Sequence, residues 1–412
     1  LEFNANLKKI KPSGIRKLFD LAQSKEGLVS FGIGEPDFIT PTHIREAAKQ
    51  ALNEGYTRYT PNLGFPEFRK ALAIKLNQKN KISISPEEVV VTSGGTDALF
   101  FAFYTLINPG DEIIIPNPGF VSYESQVYLA GGTPVYLPLR GENNFHPDLE
   151  ELKNCITPKT RAILLNSPSN PTGAVFNKEE LLTIAEIVKE KDLFIISDEL
   201  YEDIVYDGKE HVSIASLPGM KEHTISIFGF SKSYAMTGWR LAYLTAPANL
   251  IKEIAKLLQN TSVCANSVAQ RAGLAAIQGS QNCVKEMFSA YSERRNILTR
   301  GLNEIEGLSC HAPEGTFYAF VDISKTGVNS DKLAIYLLDE YRVVTVPGTA
   351  FGEQGEGYIR LSFATSLEDI KEGIMRIKKG IEKNIWSLGY NKRIAFSVER
   401  IGKKEIVASY KK

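Results

Sequence analysis

The sequence predicts an α/β fold: a mainly parallel, seven-stranded sheet flanked by helices, followed by a smaller α+β domain. Three observations carry that expectation. Runs rich in Val, Ile and Leu alternate with amphipathic segments at helical spacing. The runs are apolar throughout, as in strands covered on both faces. After Pro247 the pattern changes to long helical stretches with sparser strands.

Taken in order, residues 88–93 (EVVVTS), 112–116 (EIIIP), 133–139, 161–166 (RAILLN), 193–197 (LFIIS), 224–228 (TISIF) and 241–245 read as strands, because β-branched residues suit a pleated, buried surface. Segments 96–107, 121–130 and 178–189 read as the helical crossovers that parallel strands need. Further on, 250–278 and 282–305 read as long helices, 316–323, 343–346 and 358–363 as strands, and 330–340 and 367–384 as helices. The expected division is an N-terminal segment 1–40 packing on the small domain, a large domain 41–275, a small domain 276–390 and a tail 391–412. That tail carries seven Lys/Arg against two Glu and reads as a solvated extension.

Of 412 residues, 43% are hydrophobic, and 48 Lys+Arg offset 48 Asp+Glu, which gives no electrostatic reason to expect nucleic acid or an anionic membrane. The four cysteines form no CxxC pair and read as reduced thiols of a cytoplasmic protein. None of the five histidines shows metal-ligand spacing, so no metal site is expected. No apolar run approaches the roughly 18 residues of a membrane span.

In open α/β sheets ligands gather beyond the carboxyl ends of strands. Ser93-Gly94-Gly95-Thr96 sits at such an end and opens a helix, where backbone N–H groups and the helix dipole suit a phosphate. Alone it is more often a tight turn, and it lacks the Lys of a nucleotide-binding loop. Asp198 closes another apolar run, with Tyr201 close behind; alone it would be a helix cap. Residues 166–173 (NSPSNPTG) follow a third strand and would ordinarily be only a loop. Lys232 lies in the small, apolar stretch Gly229-Phe-Ser231-Lys232-Ser-Tyr-Ala-Met-Thr-Gly238-Trp-Arg240. Burial there would lower its pKa and free its amine for an aldehyde, although a lone lysine usually reaches solvent. Together these groups supply what pyridoxal 5'-phosphate requires: an amine for the aldehyde, a carboxylate for the ring nitrogen, donors for the phenolic oxygen, and a helix end plus Arg for the phosphate.

With those residues in view, the sequence resembles the class I/II aminotransferases of the fold-type I pyridoxal-phosphate enzymes, in the aspartate/aromatic branch. The resemblance spans nearly the whole chain. Its ordered elements are Phe31-Gly-Ile-Gly34-Glu-Pro-Asp-Phe38, Tyr56-Thr-Arg-Tyr59-Thr-Pro, Ser93-Gly-Gly-Thr96, residues 166–173, Ser197-Asp-Glu-Leu-Tyr201, the lysine segment, and Tyr358-Ile-Arg360-Leu-Ser. It implies that Lys232 carries the cofactor and moves the substrate proton. Asp198 would pair with the ring nitrogen, Tyr201 and Asn170 would hold the phenolic oxygen, and Phe120 would stack on the ring. Gly95, Thr96, Ser231 and Arg240 would bind the phosphate. Tyr59 would reach the phosphate of a neighbouring subunit, implying a homodimer with active sites at the interface. Arg360 would grip the substrate carboxylate, helped by Asn170 and the backbone at Gly34.

Phe120 stands where many aspartate-preferring relatives have Trp, and Thr96 where some have Lys, so aspartate and aromatic donors both stay open. Ala242 replaces a commoner Gly after Arg240. The implied reaction moves an amino group from an L-amino acid to 2-oxoglutarate by a ping-pong cycle. A lyase on the same fold would share every cofactor residue. An aminotransferase-like transcription regulator would need a DNA-binding domain ahead of Gly32, where few residues stand.

Overall fold

The computed structural model describes residues 4–10, 21–22 and 25–383; the basic tail 391–412 lies outside them. Among the described residues thirteen strands run from β1 (Val29–Ser30) to β13 (Tyr358–Ser362). The large sheet contains β2 (Val89–Thr92), β3 (Glu112–Asn117), β4 (Thr133–Pro138), β5 (Thr160–Asn166), β6 (Phe194–Asp198), β7 (Thr224–Gly229) and β8 (Ala242–Thr245). Their spatial order is β2-β8-β7-β6-β5-β3-β4. Only β8 runs antiparallel to its neighbours, so the sheet is seven-stranded and mainly parallel, as the apolar runs predicted.

Successive residues of these strands enter opposite cores, which is why their sequences show no polar alternation. Ile113, Ile115, Leu164 and Ile196 pack with the helices Gly95–Leu106 and Ala248–Asn260. Ile114, Ile163, Leu165 and Ile195 face the other way, onto the helix Lys178–Lys191.

A second, antiparallel sheet has the order β12 (Val346–Pro347), β13, β10 (Tyr318–Asp322), β9 (Ser309–Cys310). It shares a core with the helices Asn282–Asn303, Ser330–Tyr341 and Leu367–Glu382 through Leu298, Val321, Leu337, Leu361 and Ile377. β1 pairs in parallel with β11 (Val343–Val344), and Phe31 joins the same core. The ring of Phe31 lies so close to Gly373 that a Cβ there would come within 2.2 Å of it. Residues 4–10 lie elsewhere: Lys9, just after the short helix Ala5–Lys8, puts its ammonium 5.5 Å over the Tyr128 ring, beside the large sheet.

Two expectations need correction. The stretch 250–278 is two helices, Ala248–Asn260 and Ser267–Gln278, not one. The Asn260-Thr261-Ser262 sequence favours side-chain hydrogen bonds over helix, and Asn266 starts the second helix by accepting a 2.8 Å bond from Ala269 N. The predicted strand 343–346 is divided, β11 serving β1 and β12 serving β13. Helices Thr42–Asn53 and Pro66–Lys75 went unpredicted. Among the described residues no helix is long and apolar enough to cross a membrane.

Candidate active site

The carboxyl ends of β2, β5, β6 and β7 meet β10, β13 and the loop after β1. Lys232 follows β7 and donates a 2.5 Å hydrogen bond to the Gly34 carbonyl. Its ammonium lies 5.7 Å from the ring centre of Tyr201 and 5.8 Å from that of Phe317. Burial, reinforced by the charge of Arg360, lowers its pKa from 10.5 to about 8. A substantial share of this amine is therefore neutral, and nucleophilic, near neutral to mildly alkaline pH.

Asp198 ends β6 and is buried. Its Oδ2 accepts a 2.7 Å bond from the Tyr123 hydroxyl and its Oδ1 a 3.3 Å bond from Leu200 N. Burial raises its pKa from 3.8 to about 6 despite both donors. A carboxylate in this condition is short of a cation. Sequence reasoning missed Tyr123. The available signal was its position three residues after Phe120, at the start of the helix Ser122–Leu129 that follows β3. The two rings meet edge-on, 5.6 Å apart, so Phe120 stands beside the partner of Asp198.

Asn166 is paired with Asp198 across β5 and β6. Its side chain donates to the Asp198 carbonyl at 3.2 Å and accepts from Asn170 N at 2.9 Å, which fixes the loop carrying Asn170. Asn170 Oδ1 then accepts a 3.0 Å bond from Arg360 Nη1, while Arg360 Nη2 donates to the Gly32 carbonyl at 2.7 Å. Arg360 lies within β13 and is only 3% exposed, so it is not a solvent-facing side chain. Its guanidinium sits 4.3 Å from the centre of the Tyr318 ring and 4.9 Å from that of Phe351. Among the described residues the Nε has no hydrogen-bond partner and no carboxylate forms an ion pair with this group. Burial lowers its pKa.

Tyr201, also buried, has its hydroxyl 2.9 Å from that of Tyr318, a second residue the sequence did not single out. On the other side Gly95 begins the helix Gly95–Leu106 and Thr96 is exposed on its first turn. Gly94 adopts φ 102°, and a Cβ there would stand 2.5 Å from Arg240 Nη2, so only glycine lets the guanidinium lie over this helix end. Arg240 is also held by its own 3.1 Å bond to the Thr237 carbonyl. Ser231 is buried directly before Lys232. Tyr59, 85% exposed, stands apart from the cluster this chain forms.

The structure thus brings together a buried amine, a buried acid short of a cation, an unanswered guanidinium, and a helix end topped by a second guanidinium. This donor set fits pyridoxal phosphate: Asp198 suits a protonated ring nitrogen, and the Gly94–Arg240 cradle suits a phosphate. Among the described residues no group of His, Cys, Asp and Glu could hold a metal ion.

Residues 26–377 match the family of aminotransferases of class I and II. Aromatic-amino-acid aminotransferase 2 of Thermococcus litoralis is 45% identical over 92% of this chain and 97% of its own length. The aspartate aminotransferase of Pyrococcus abyssi is 45% identical over 90% of this chain and 96% of its own. Among solved structures, the aspartate aminotransferase of Thermus thermophilus with maleate aligns with a TM-score of 0.88 at 39% identity, covering 92% of this chain and 100% of that one. The chain belongs to the class I and II aminotransferases, pyridoxal-phosphate enzymes that act on amino acids and oxo acids.

Proposed function

We propose that this aminotransferase takes the amino group of an L-amino acid, aspartate or an aromatic one, and delivers it to 2-oxoglutarate in two successive half-reactions. The observation that carries this reading is Arg360, a buried cation with no counter-ion among the described residues, close enough to Lys232 to depress its proton affinity. A substrate carboxylate supplies the missing charge, and the planar fork can hold it through two parallel bonds. When bound, pyridoxal phosphate supplies the electron sink that acidifies the substrate α-carbon.

The chain's own residues do the rest. Lys232 holds the cofactor and, once released, carries the proton from the α-carbon. Asp198, held by Tyr123, keeps the ring nitrogen protonated. Tyr201 and Asn170 donate to the phenolic oxygen, Phe120 covers the ring, and Gly95, Thr96, Ser231 and Arg240 bind the phosphate. Gly34 presents its backbone to the substrate carboxylate beside Arg360. Tyr59 extends toward a second copy's phosphate in a cytoplasmic homodimer, a reading supported by its exposure.

A panel of amino donors tests the proposal spectroscopically. Adding donor alone should convert the visible band of the loaded protein in a single step, and 2-oxoglutarate should restore it. Continuous turnover on donor alone would overturn the assignment. So would restoration by other oxo acids and not by 2-oxoglutarate.

A further inference from the structure

Tyr318 has no assigned part in this site, yet its hydroxyl and ring touch three pieces of it. Its hydroxyl lies 2.9 Å from that of Tyr201, and its ring centre is 4.3 Å from the Arg360 guanidinium. A Cβ on Gly34 would come within 2.0 Å of its Oη, so the loop that accepts from Lys232 is shaped around this phenol. The contact with Arg360 follows from register: Tyr318 faces Ser362 and Phe320 faces Arg360 across β10 and β13, which puts the ring diagonally over the guanidinium.

We propose that Tyr318 is a positioning residue that donates its proton to Tyr201, aims the Tyr201 hydroxyl into the cleft, and passes to it the charge state of Arg360. The argument is one of proton accounting. Two hydroxyls share one hydrogen bond, so only one of the two protons lies between them. Tyr318 is buried, and among the described residues its hydroxyl has no partner but Tyr201. If Tyr201 donated, the Tyr318 proton would be left buried and unsatisfied. If Tyr318 donates, the Tyr201 proton is released for a ligand. A cation over the Tyr318 ring strengthens that donation, and hydrogen bonds in a chain reinforce one another. A carboxylate bound at Arg360 cancels the charge and weakens the chain, so clamp occupancy is felt at Tyr201.

The inference rests on the reading of Tyr201 as donor to the cofactor's phenolic oxygen. Its test is a pH titration of the visible absorption of the loaded protein, which reports the proton shared between that oxygen and the Lys232 nitrogen. Weaker donation from Tyr201 makes that proton harder to remove. Tyr318→Phe should raise the midpoint by about 0.5–1 pH unit, the worth of one hydrogen bond. Tyr201→Phe should raise it further, and the double variant should match Tyr201→Phe, because the relay is already cut. A Tyr318→Phe midpoint equal to that of the unaltered protein, or shifts that add in the double variant, would overturn the relay. A Tyr201→Phe midpoint equal to that of the unaltered protein would instead refute the Tyr201 assignment beneath it.

A second measurement needs no change at 318 and stands even if Tyr318→Phe does not fold. Saturating acetate should raise the midpoint more in the unaltered protein than in Tyr201→Phe. Equal shifts would show that Arg360 acts without Tyr318, and the inference would fall.

Discussion

Lys75 and Arg360 are both cations drawn out of solvent, but their surroundings differ. Lys75 forms an ion pair with Glu202, whose side chain is 7% exposed, and Asn80 donates to the same carboxylate at 2.7 Å. Lys79 pairs with Asp203 and stands 3.6 Å from Glu202. Ser233, beside Lys232, donates to Asp203 at 2.7 Å, so this layer braces the lysine segment from behind. Among the described residues Arg360 has neutral partners only, Asn170 and the Gly32 carbonyl, with aromatic rings beside its plane. Both regions bear the cost of desolvating charge. The first recovers it within the chain, and the second leaves recovery to a ligand. Compensated charge holds a fold together; uncompensated charge waits for substrate.

The sharpest way to break this contrast is at Arg360. Arg360→Ala should lower kcat/KM by about a thousandfold or more, since a buried charge-assisted fork is lost, while thermal unfolding of the unloaded protein changes little or improves. A large loss of stability would place Arg360 with the structural ions. Glu202→Ala should do the reverse. Stranding Lys75 should cost about 3–5 kcal/mol of stability by denaturant unfolding, with kcat/KM per folded molecule changing far less.

A smaller effect separates the two acids. Asp198 has its folded pKa raised from 3.8 to about 6, so the folded chain keeps this proton longer than the unfolded one. Stability of the unloaded protein therefore falls, through this group, as pH rises from about 4 to 6. Asp198→Asn should remove that slope and be more stable than the unaltered protein at pH 7 by about 1–3 kcal/mol, with cofactor function lost. Glu202 runs the other way: burial would raise its pKa, but Lys75 and Lys79 together bring it below 4.5. Its contribution is present above pH 4.5 and lost as pH falls below it. Urea unfolding at pH 3, 5 and 7 reads both signs.

A further titration, of similar size and opposite sign, is expected at Lys232. Its folded pKa is lowered from 10.5 to about 8, so the unfolded state holds more protons between those values and stability rises with pH there. The unaltered protein minus Lys232→Met should show that rise between pH 8 and 10 before cofactor is added, and a flat difference would mean the amine is not buried.

Much of this was legible in the sequence. Apolar strands covered on both faces leave unbroken runs such as EVVVTS and RAILLN, and the segments that bring the site's side chains together are short and contiguous. The lysine segment, Asp198 and residues 166–173 could be found because each lies within a few positions of a strand end. Tyr318 could not, because its partner is 117 positions away and buried tyrosines are ordinary core residues; Tyr123, whose partner is 75 positions away, offered only its nearness to Phe120. The break at 261–266 was missed because apolar spacing resumes in phase beyond it. The burial of Arg360 could not be read from its own strand, since it comes from Tyr318 and Phe351 on other elements.

β1 is stitched to β11, and just beyond it the carbonyls of Gly32 and Gly34 accept from Arg360 and Lys232. Both cations thus lean on a single ribbon at the amino end. A protease that shaved the chain past Gly34 would strip β1 from β11 but leave the seven-stranded and four-stranded sheets whole, yet two naked positive groups would then glare at each other across an open mouth.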